Sequence, residues 1–335
     1  MLLPTTNTMA LLALAVCALL WGCWASTQQA DRKWRFELYA FDFAFGAVLT
    51  ALLLALTLGN WGGGNNFTFD DSLTVAGKRN MALALGGGVL YCLGNFMVLA
   101  GVALAGLSTA LPVGAAITLL LAVGLEAVLG GTMGNGGMVY GGAGLAVLTL
   151  VLVALAQKAA AAAAPVKKGM HPGWKGLILS AVGGLFFAVA LRVAEASRGG
   201  DIGVGAYGVA LFMALGLFLM TPLANVYFLN LPVQGHASTP MAYLKGTKKQ
   251  HVLGLLGGTL WAMGAVAFLA GATGGFEGAP KFLATEAMAC GSGVTGALCG
   301  LLVLGDQGGA GKAKAMLAGA GAVMAGAVAL VYMGA

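Results

Sequence analysis

The stretch KRNMALALGGGVLYCLGNFMVLAG, at Lys78–Gly101, recurs 170 positions later as KKQHVLGLLGGTLWAMGAVAFLAG, at Lys248–Gly271. Without gaps, 10 of the 24 positions are identical, and the basic pair that opens each copy and the aligned Tyr91 and Trp261 do not follow from a Gly- and Ala-rich composition. A repeat of this kind governs the architecture of the whole chain. It predicts that the protein consists of two related halves.

The composition predicts an integral membrane protein. Of all residues, 59% are hydrophobic and 8% charged, and the mean hydropathy is +0.91, so there are too few charges to cover a soluble surface. Crossing the ~30 Å hydrocarbon core takes a helix of ~20 apolar residues. Such runs begin near residues 9, 38, 80, 107, 138, 174, 203, 251, 280 and 315. Because the runs are continuous rather than alternating, they predict ten transmembrane helices and an all-α fold instead of a β-barrel.

Five spans fall in each half, which predicts an inverted repeat. The first repeat covers residues 1–156, the second covers 174–335, and the linker 157–173 contains a poly-Ala run, prolines and lysines. An odd number of spans per half makes the second half enter the membrane in the opposite sense, as in many secondary transporters.

The basic residues predict the orientation. The loops after the first, fifth, seventh and ninth spans hold twelve Lys and Arg residues, including Lys167 and Lys168 of the linker, and the other loops hold four. Cytosolic loops carry the excess of positive charge. We therefore expect both termini outside. The N-terminus has no basic n-region, so we expect no cleaved signal peptide, and the expected location is a bacterial inner (plasma) membrane.

Ionisable residues at membrane depth are costly and indicate function. Asp42 in the second span and Glu286 in the ninth are the candidates for proton coupling. Asp42 is either a proton-titrating or solute-bonding carboxylate or an interfacial partner of Arg35. Glu286 has only Lys281 as a charged neighbour in sequence, which favours a position lining a cavity.

Three further charges are open to a structural interpretation. Arg192 and Glu195 in the sixth span are three residues apart, so they can pair on one face of the helix. Glu126, near the end of the fourth span, is equally consistent with a cavity and with the water boundary.

Uncharged polar and aromatic residues complete the candidate site. Asn95 in the third span and Asn225 in the seventh are amides, and a buried amide offers two donors and an acceptor. These groups suit planar amides, ureas or sugar hydroxyls, although each asparagine is also consistent with a plain interhelical hydrogen bond. Gln28 is a further candidate of this kind, and Trp21, with Trp24 three residues later, either stacks on a solute or packs. The predicted solute-binding residues are Trp21, Tyr91, Asn95, Asn225, Trp261 and Glu286.

Prolines predict where spans are broken. Pro112 in the fourth span and Pro280 in the ninth lie close to the span starts, and matching interruptions in two halves point toward a binding cavity.

Several other site classes find no support. The five cysteines lie within spans without disulfide or metal-ligand spacing. In GDQGGAGKAK, Gly305–Lys314, the spacing of a phosphate-binding loop fails. The loop WGGGNNFTFDD, residues 61–71, contains the sequon Asn66-Phe67-Thr68, which has no meaning in a bacterial chain. We expect no cofactor, no metal and no nucleic acid.

Three segments resemble the ureide permease-like branch of the drug/metabolite transporter superfamily. They are ALLWGCWASTQQADRKWRFELYAFD at Ala18–Asp42, GGGVLYCLGN at Gly86–Asn95, and NVYFLNLPVQG at Asn225–Gly235 followed by KGTKKQHVLGLLGGTLWAMG at Lys245–Gly264. The resemblance implies a ten-helix, five-plus-five inverted fold and proton-driven uptake of ureides or nucleobases, with glucose, ribose or rhamnose as solutes of related bacterial branches.

Motif positions carry Trp21, Asp42, Asn95, Asn225 and Trp261 over from that family. Glu286 departs from it, because an uncharged Gln- or Ser-bearing helix is expected there, and the nucleotide-binding-like motif of the plant linkers is absent.

The sequence thus predicts a secondary transporter that imports a small polar solute with a proton, or sodium, as coupling ion. The bilayer and the solute are the expected partners. A lipid-modifying enzyme using Asp42, His171, His236 or His251 and a membrane scaffold without transport are the rivals. Neither rival has a clustered set of residues in its favour.

Overall fold

The computed structural model describes residues 1–61, 67–129, 133–163, 170–273, 280–306 and 311–335. It contains ten helices that are long and apolar enough to cross a membrane, as predicted, and no strand within those ranges. In chain order these spans 1 to 10 are Asn7–Gln29, Phe36–Asn60, Lys78–Ala105, Leu107–Val128, Gly136–Ala163, Pro172–Ala196, Ala206–Asn230, Lys248–Gly271, Phe282–Val303 and Gly311–Gly334.

Two short helical segments lie between spans. Phe69–Val75 precedes span 3, and the 3-10 turn Pro240–Lys245 precedes span 8. Thr68 and Asp71 form a capping box at the first of them, with each side chain satisfying a backbone N–H of the other, the exchange that suits a helix start.

Spans 3 and 4 are joined by one residue. Gly106 has φ +85°, a conformation that L side chains rarely adopt, so the chain reverses there within a single peptide. The Asp306 carboxylate, which follows span 9, accepts a hydrogen bond of 3.0 Å from the Ser108 backbone N–H at the start of span 4. A carboxylate is favourable at the positive end of a helix.

Helix packing repeats when five is added to the span numbers. Span 3 packs on spans 6 and 7, and span 8 packs on spans 1 and 2. Spans 2 and 7, 4 and 9, and 5 and 10 pack on each other. The main helix contacts of the first half therefore have counterparts in the second.

Glycines make these contacts close. A Cβ on Gly88 would lie 2.0 Å from the backbone oxygen of Met213, and a Cβ on Gly258 would lie 2.0 Å from that of Phe43. Both partners are 170 positions apart, like the glycines themselves. Small residues allow helix backbones to approach in this way, so Gly88 and Gly258 are packing residues.

The predicted proline interruptions are wrong. Pro112 lies inside the continuous helix of span 4, where it removes one backbone donor in the second turn, and Pro280 lies before span 9 begins. Span 9 is instead broken at Gly291, between Phe282–Cys290 and Ser292–Leu298, and ends in the π-helical turn Cys299–Val303. Broken spans thus do not occur at matching positions.

The spans end at two faces. At the terminal face, the Leu2 N–H donates to the Leu58 oxygen, the Gly77 N–H to the Ile202 oxygen, and the Asn135 N–H to the Gly334 oxygen. The opposite face, which we call the linker face, carries Ala30–Arg35, Gly106 and the segment between spans 7 and 8.

Some predicted features lie partly or wholly outside the described residues. These are Lys167 and Lys168 of the linker, Asn66 of the sequon, and residues 307–310 of the rejected phosphate-binding loop. Span 5 continues to Ala163, so the first seven residues of the predicted linker are helical.

Candidate functional site

An aromatic cluster lies at the centre of the bundle. The Trp21 Nε1 donates a 3.0 Å hydrogen bond to the backbone oxygen of Trp261. The ring of Tyr91 lies 5.7 Å from that of Trp21, 5.2 Å from that of Trp261 and 4.4 Å from that of Phe187. The structure therefore brings three of the predicted solute-binding residues together.

This cluster borders a small cavity, the chamber. It measures about 40 Å³, and Trp21, Trp24 and Tyr91 line it together with Thr118 and Cys290. Such a volume holds one or a few water molecules at most. In this conformation the chamber is too small for a planar amide or a sugar.

A larger cavity, the vestibule, opens at the linker face. It measures about 560 Å³ and lies between the ends of spans 1 and 3 and the start of span 2. Its lining includes Gln28, Gln29, Arg32, Trp34, Glu37 and Asp306. Gln28 is one turn beyond Trp24, and Val102 of the vestibule is one turn beyond Val98 of the chamber. Chamber and vestibule thus follow each other along the same helices.

The charges of the vestibule are internally balanced. Arg35 binds Glu37 with two nitrogens, at 2.7 Å and 3.3 Å, and Arg32 lies 3.4 Å from Asp306. The Gln28 Oε1, in contrast, is buried and has no hydrogen-bond partner among the described residues. A cavity with paired charges and a free amide suits a neutral polar solute.

Asn95 and Asn225 lie where spans 3 and 7 pack. Cys92 contacts Thr221 at 3.6 Å, and Phe96 stacks on Phe228, so both asparagines are within one turn of these contacts. Each is 1% exposed. Within the described ranges, the Asn95 oxygen and both amide atoms of Asn225 have no hydrogen-bond partner. A buried polar atom without a partner costs about 1–3 kcal/mol, yet neither residue is among those that line the chamber or the vestibule.

Asp42 binds two residues that the sequence analysis did not connect with it. Its Oδ1 accepts a 2.5 Å hydrogen bond from the Tyr243 hydroxyl, and its Oδ2 lies 2.9 Å from the His251 Nδ1. Asp42 does not pair with Arg35, which is held by Glu37, so the alternative interpretation of Asp42 as an interfacial partner of Arg35 is wrong. Trp34 packs its ring at 5.6 Å from the His251 ring and also lines the vestibule.

Tyr243 lies outside the spans and remains a donor. Burial, followed by the hydrogen bond to Asp42 and its charge, raises the pKa of Tyr243 above its ordinary value. The hydroxyl therefore keeps its proton at neutral pH, and the contact to the carboxylate is a charge-assisted hydrogen bond whenever Asp42 is ionised.

Glu286 is paired with Arg192, for which the sequence analysis considered Glu195 as the partner. The Arg192 Nη2 lies 2.7 Å from the Glu286 Oε2, and its Nη1 lies 2.8 Å from the Glu126 Oε2. Glu195 pairs instead with Arg198 at 3.0 Å. The predicted Arg192–Glu195 pair is wrong because the guanidinium turns away from its own helix toward spans 4 and 9, where two carboxylates converge.

All five cysteines are free. No group of three or more His, Cys, Asp or Glu side chains that could hold a metal ion occurs in the described part of the chain.

The chain was compared with known proteins. The family model described as Ureide permease matches residues 39–171, from the start of span 2 to the residue before span 6. The match includes Asp42, Tyr91 and Asn95 and ends before Asn225 and Trp261. Over residues 39–171 the resemblance to ureide permeases inferred from the sequence is confirmed. Ten apolar spans and this match together fit an integral membrane protein.

The fold occurs in a solved structure titled "Crystal structure of protein". That chain is 18% identical, superposes with a TM-score of 0.55, and is matched over 95% of this chain and 96% of its own. At this identity the likeness concerns the fold alone. The comparison with curated proteins gave no match.

Sequence reasoning missed His251 as the partner of Asp42, Tyr243 as its donor, and Arg192 as the partner of Glu286. One signal for His251 was present: the repeated stretch has Met81 at the corresponding position, so the histidine is a polar departure inside an apolar repeat. Tyr243 and Arg192 carry no such signal, because their contacts depend on how the spans cross.

Proposed function

We propose that this protein is a secondary transporter that imports a small, neutral, polar solute, with a ureide or nucleobase as the first candidate. The observation that carries the proposal is the polar vestibule at the linker face, which ends one helical turn from the aromatic chamber between the two halves. Sites between helices of a bundle, largely apolar with a few polar groups, are typical of small-molecule binding. The match to ureide permeases over residues 39–171 supports transport rather than catalysis.

The two halves form an inverted repeat of the drug/metabolite transporter type in this proposal. It is supported by the packing of span 3 on spans 6 and 7, which recurs as the packing of span 8 on spans 1 and 2. Rocking of one half against the other would expose the chamber to each face in turn. The charge bias of the loops puts the linker face in the cytosol and both termini outside.

The solute enters the chamber in this proposal when the rings of Trp21 and Tyr91 separate, and the chamber then grows from about 40 Å³. Trp261 packs behind these rings. Asn95 and Asn225, which carry unpartnered amide atoms, are the hydrogen-bonding groups that a moving span 3 or span 7 would bring to the solute.

Asp42 is the group that takes the coupling proton. Its support is the contact with His251 and Tyr243 beside the vestibule, where a proton changes the bonds that join span 2, span 8 and Pro240–Lys245. Glu286 is the weaker candidate because Arg192 already neutralises part of its charge.

The test is uptake of labelled allantoin, uracil and glucose by cells expressing the chain, with and without a protonophore. We expect accumulation of allantoin or uracil that the protonophore abolishes, and the same loss with Asp42→Asn. Asp70→Asn, an exposed carboxylate at the terminal face, is the matched control and should transport normally. Accumulation of glucose alone would move the protein to the sugar branch. If none of the three accumulates, the proposal is wrong.

A further inference from the structure

The chamber is separated from the terminal face by charged residues. Three of the spans that line it contribute Thr118, Leu191 and Cys290. Toward the terminal face, the same spans carry Glu126 two turns beyond Thr118, Arg192 next to Leu191, and Glu286 one turn before Cys290. The three charged residues therefore stand between the chamber and that face.

Arg192 holds these spans together with three contacts. Its guanidinium reaches Glu126 of span 4 at 2.8 Å, Glu286 of span 9 at 2.7 Å, and the backbone oxygen of Ala122 at 3.3 Å. It also lies 4.9 Å from the ring centre of Phe282, at the start of span 9. A planar guanidinium can bind two carboxylates at once, which a lysine ammonium does less well.

The cluster is buried unevenly. Glu286 is fully buried, whereas the side chains of Arg192 and Glu126 are 18% and 17% exposed. Glu286 is thus the member of the cluster that water does not reach. Arg192 and Glu126 are partly exposed and extend toward the terminal face. An ion pair of this kind is stable while it is complete, and removal of one partner leaves the other charge buried and unpaired.

The linker side of the chamber has a different closure. There, the apolar and aromatic side chains of Trp24, Val98 and Leu111 adjoin the chamber, and the vestibule begins one turn further on. The two sides of the chamber are therefore closed by different chemistry, ionic on one side and apolar on the other.

The structure assigns Arg192, with Glu126 and Glu286, as the gate that closes the chamber toward the terminal face. Glu286 is then a gate residue and not a solute ligand. The assignment rests on the proposed function for its purpose, but the closure itself is measurable without any solute. A protein that transports nothing could still show it, and a transporter could lack it.

Cys290 provides a native reporter, because it lines the chamber and is 3% exposed. We would keep it as the single cysteine by replacing the others with Cys17→Ala, Cys23→Ser, Cys92→Ala and Cys299→Ala. Membrane-impermeant methanethiosulfonates, one cationic and one anionic, are then applied to intact cells and to inverted vesicles, which present opposite faces. A tag at one terminus identifies the terminal face.

Arg192→Gln should raise the rate of Cys290 labelling from the terminal face by about tenfold or more, because the rate follows the population of the open state. Labelling from the linker face should not change. Both reagents should show the increase. An increase confined to the cationic reagent would report the exposed carboxylates and not an opening, and it would overturn the assignment.

Arg198→Gln is the matched control. Arg198 lies at the same end of span 6 and binds Glu195, the Ala272 oxygen and Thr273, none of which lines the chamber. It should leave labelling unchanged, and an equal increase in this variant would mean general loosening rather than a gate.

If Arg192→Gln does not give a monodisperse protein, Glu126→Gln decides the matter. It removes the partly exposed partner and keeps the buried Arg192–Glu286 pair, so a smaller increase from the terminal face is expected. A folded Glu126→Gln protein with wild-type labelling from both faces would overturn the gate.

Discussion

Two interfaces of the molecule share one backbone arrangement and differ in chemistry. Span 8 packs on span 2 through Gly258 against the Phe43 oxygen, and span 3 packs on span 7 through Gly88 against the Met213 oxygen. At the first interface Asp42, His251 and Tyr243 are joined by hydrogen bonds. The residues 170 positions away at the second interface are Phe212, Met81 and Leu73, all apolar.

The difference separates the contacts that both interfaces share from the contacts that only one of them has. Close backbone contact is present in both copies, so it belongs to the framework. The polar triplet is present in one copy only, next to the vestibule. Both interfaces therefore share the glycine contacts, and the polar triplet makes the two interfaces unequal.

The largest effect is expected from the shared framework. Gly88→Ala and Gly258→Ala would each place a Cβ 2.0 Å from a backbone oxygen. Overpacking in a dense interior costs about 1–3 kcal/mol or more, so both variants should lose most of the yield of monodisperse protein, and to a similar extent.

Gly86→Ala is the control, since a Cβ there meets nothing within 4 Å in the described structure. The measurement is the fraction of detergent-extracted protein in the monomeric elution peak. Severe loss with one glycine variant and none with the other would show that the two interfaces are not equivalent.

A second effect is expected when substitutions make the two interfaces alike. The triple variant Asp42→Phe, Tyr243→Leu and His251→Met gives the span 2–span 8 interface the residues of its counterpart. Replacing buried ionic groups by well-packed apolar residues is neutral or stabilising by about 1–4 kcal/mol in known cases. Phe is larger than Asp and Leu is smaller than Tyr, and because the two side chains are in contact, these changes in volume partly offset each other. The protein should therefore fold, exchange solute across the membrane without a gradient, and lose protonophore-sensitive accumulation.

Counterflow and accumulation measured on the same cells separate these outcomes. Accumulation that persists in the folded triple variant would exclude Asp42 from proton coupling and leave Glu286 as the candidate.

A smaller effect is expected from Tyr243→Phe, which removes one donor from Asp42. Hydrogen bonds to charged groups contribute about 1.5–3 kcal/mol, and the partly exposed hydroxyl should contribute less than that. The pKa of Tyr243 is raised in the folded protein, so its stabilising contribution is complete below its ordinary pKa of about 10 and is lost as the pH rises further.

Thermal unfolding between pH 8 and pH 11 measures this contribution. The wild-type protein should lose stability more steeply than Tyr243→Phe at the alkaline end. Parallel curves would mean that the hydroxyl is not bound to Asp42. Tyr227→Phe, an exposed tyrosine at the end of span 7, is the control.

The smallest effect concerns the segment that corresponds to Pro240–Lys245 at the other interface, the helix Phe69–Val75. A hydrogen bond from the Thr68 side chain lowers the pKa of Asp71. This contribution is present above the ordinary pKa of an aspartate, about 3.9, and is lost as the pH falls through the lowered value.

Thr68→Ala should raise the pKa of Asp71 toward its ordinary value, measured by carboxyl carbon NMR. Thr74→Ala is the control, because the Thr74 hydroxyl donates to the Asp71 backbone oxygen and not to the carboxylate. An unchanged pKa in Thr68→Ala would show that the capping box does not form.

The ten membrane-spanning helices could be predicted from the sequence because hydropathy is a property of the chain itself. The ten runs of apolar residues specify the spans without knowledge of their neighbours. The partner of each charge was not accessible in the same way. Arg192 could be paired with Glu195 by helix spacing alone, but its true partners come from spans 4 and 9, and spacing along one helix contains no information about them.

The same limit applies to the candidate site. Tyr91 and Trp261 were predicted together because they are large aromatic residues at equivalent positions of the repeat, and Trp21 of span 1 was predicted as a further large aromatic residue within a span. The vestibule was missed except for Gln28, because its lining comes from helix ends and turns. Side chains such as Trp34 and Asp306 there read as ordinary loop residues in the sequence.

The single-residue connection at Gly106 leaves spans 3 and 4 little freedom to move independently. Because only one residue joins the two spans, we expect a tilt of span 3 to displace the start of span 4 as well. Asp306 accepts a hydrogen bond from the Ser108 N–H next to this connection, so the end of span 9 is coupled to the same two spans. Glycines inserted at Gly106 would uncouple span 3 from span 4 and from the end of span 9 while leaving every side chain in the bundle unchanged.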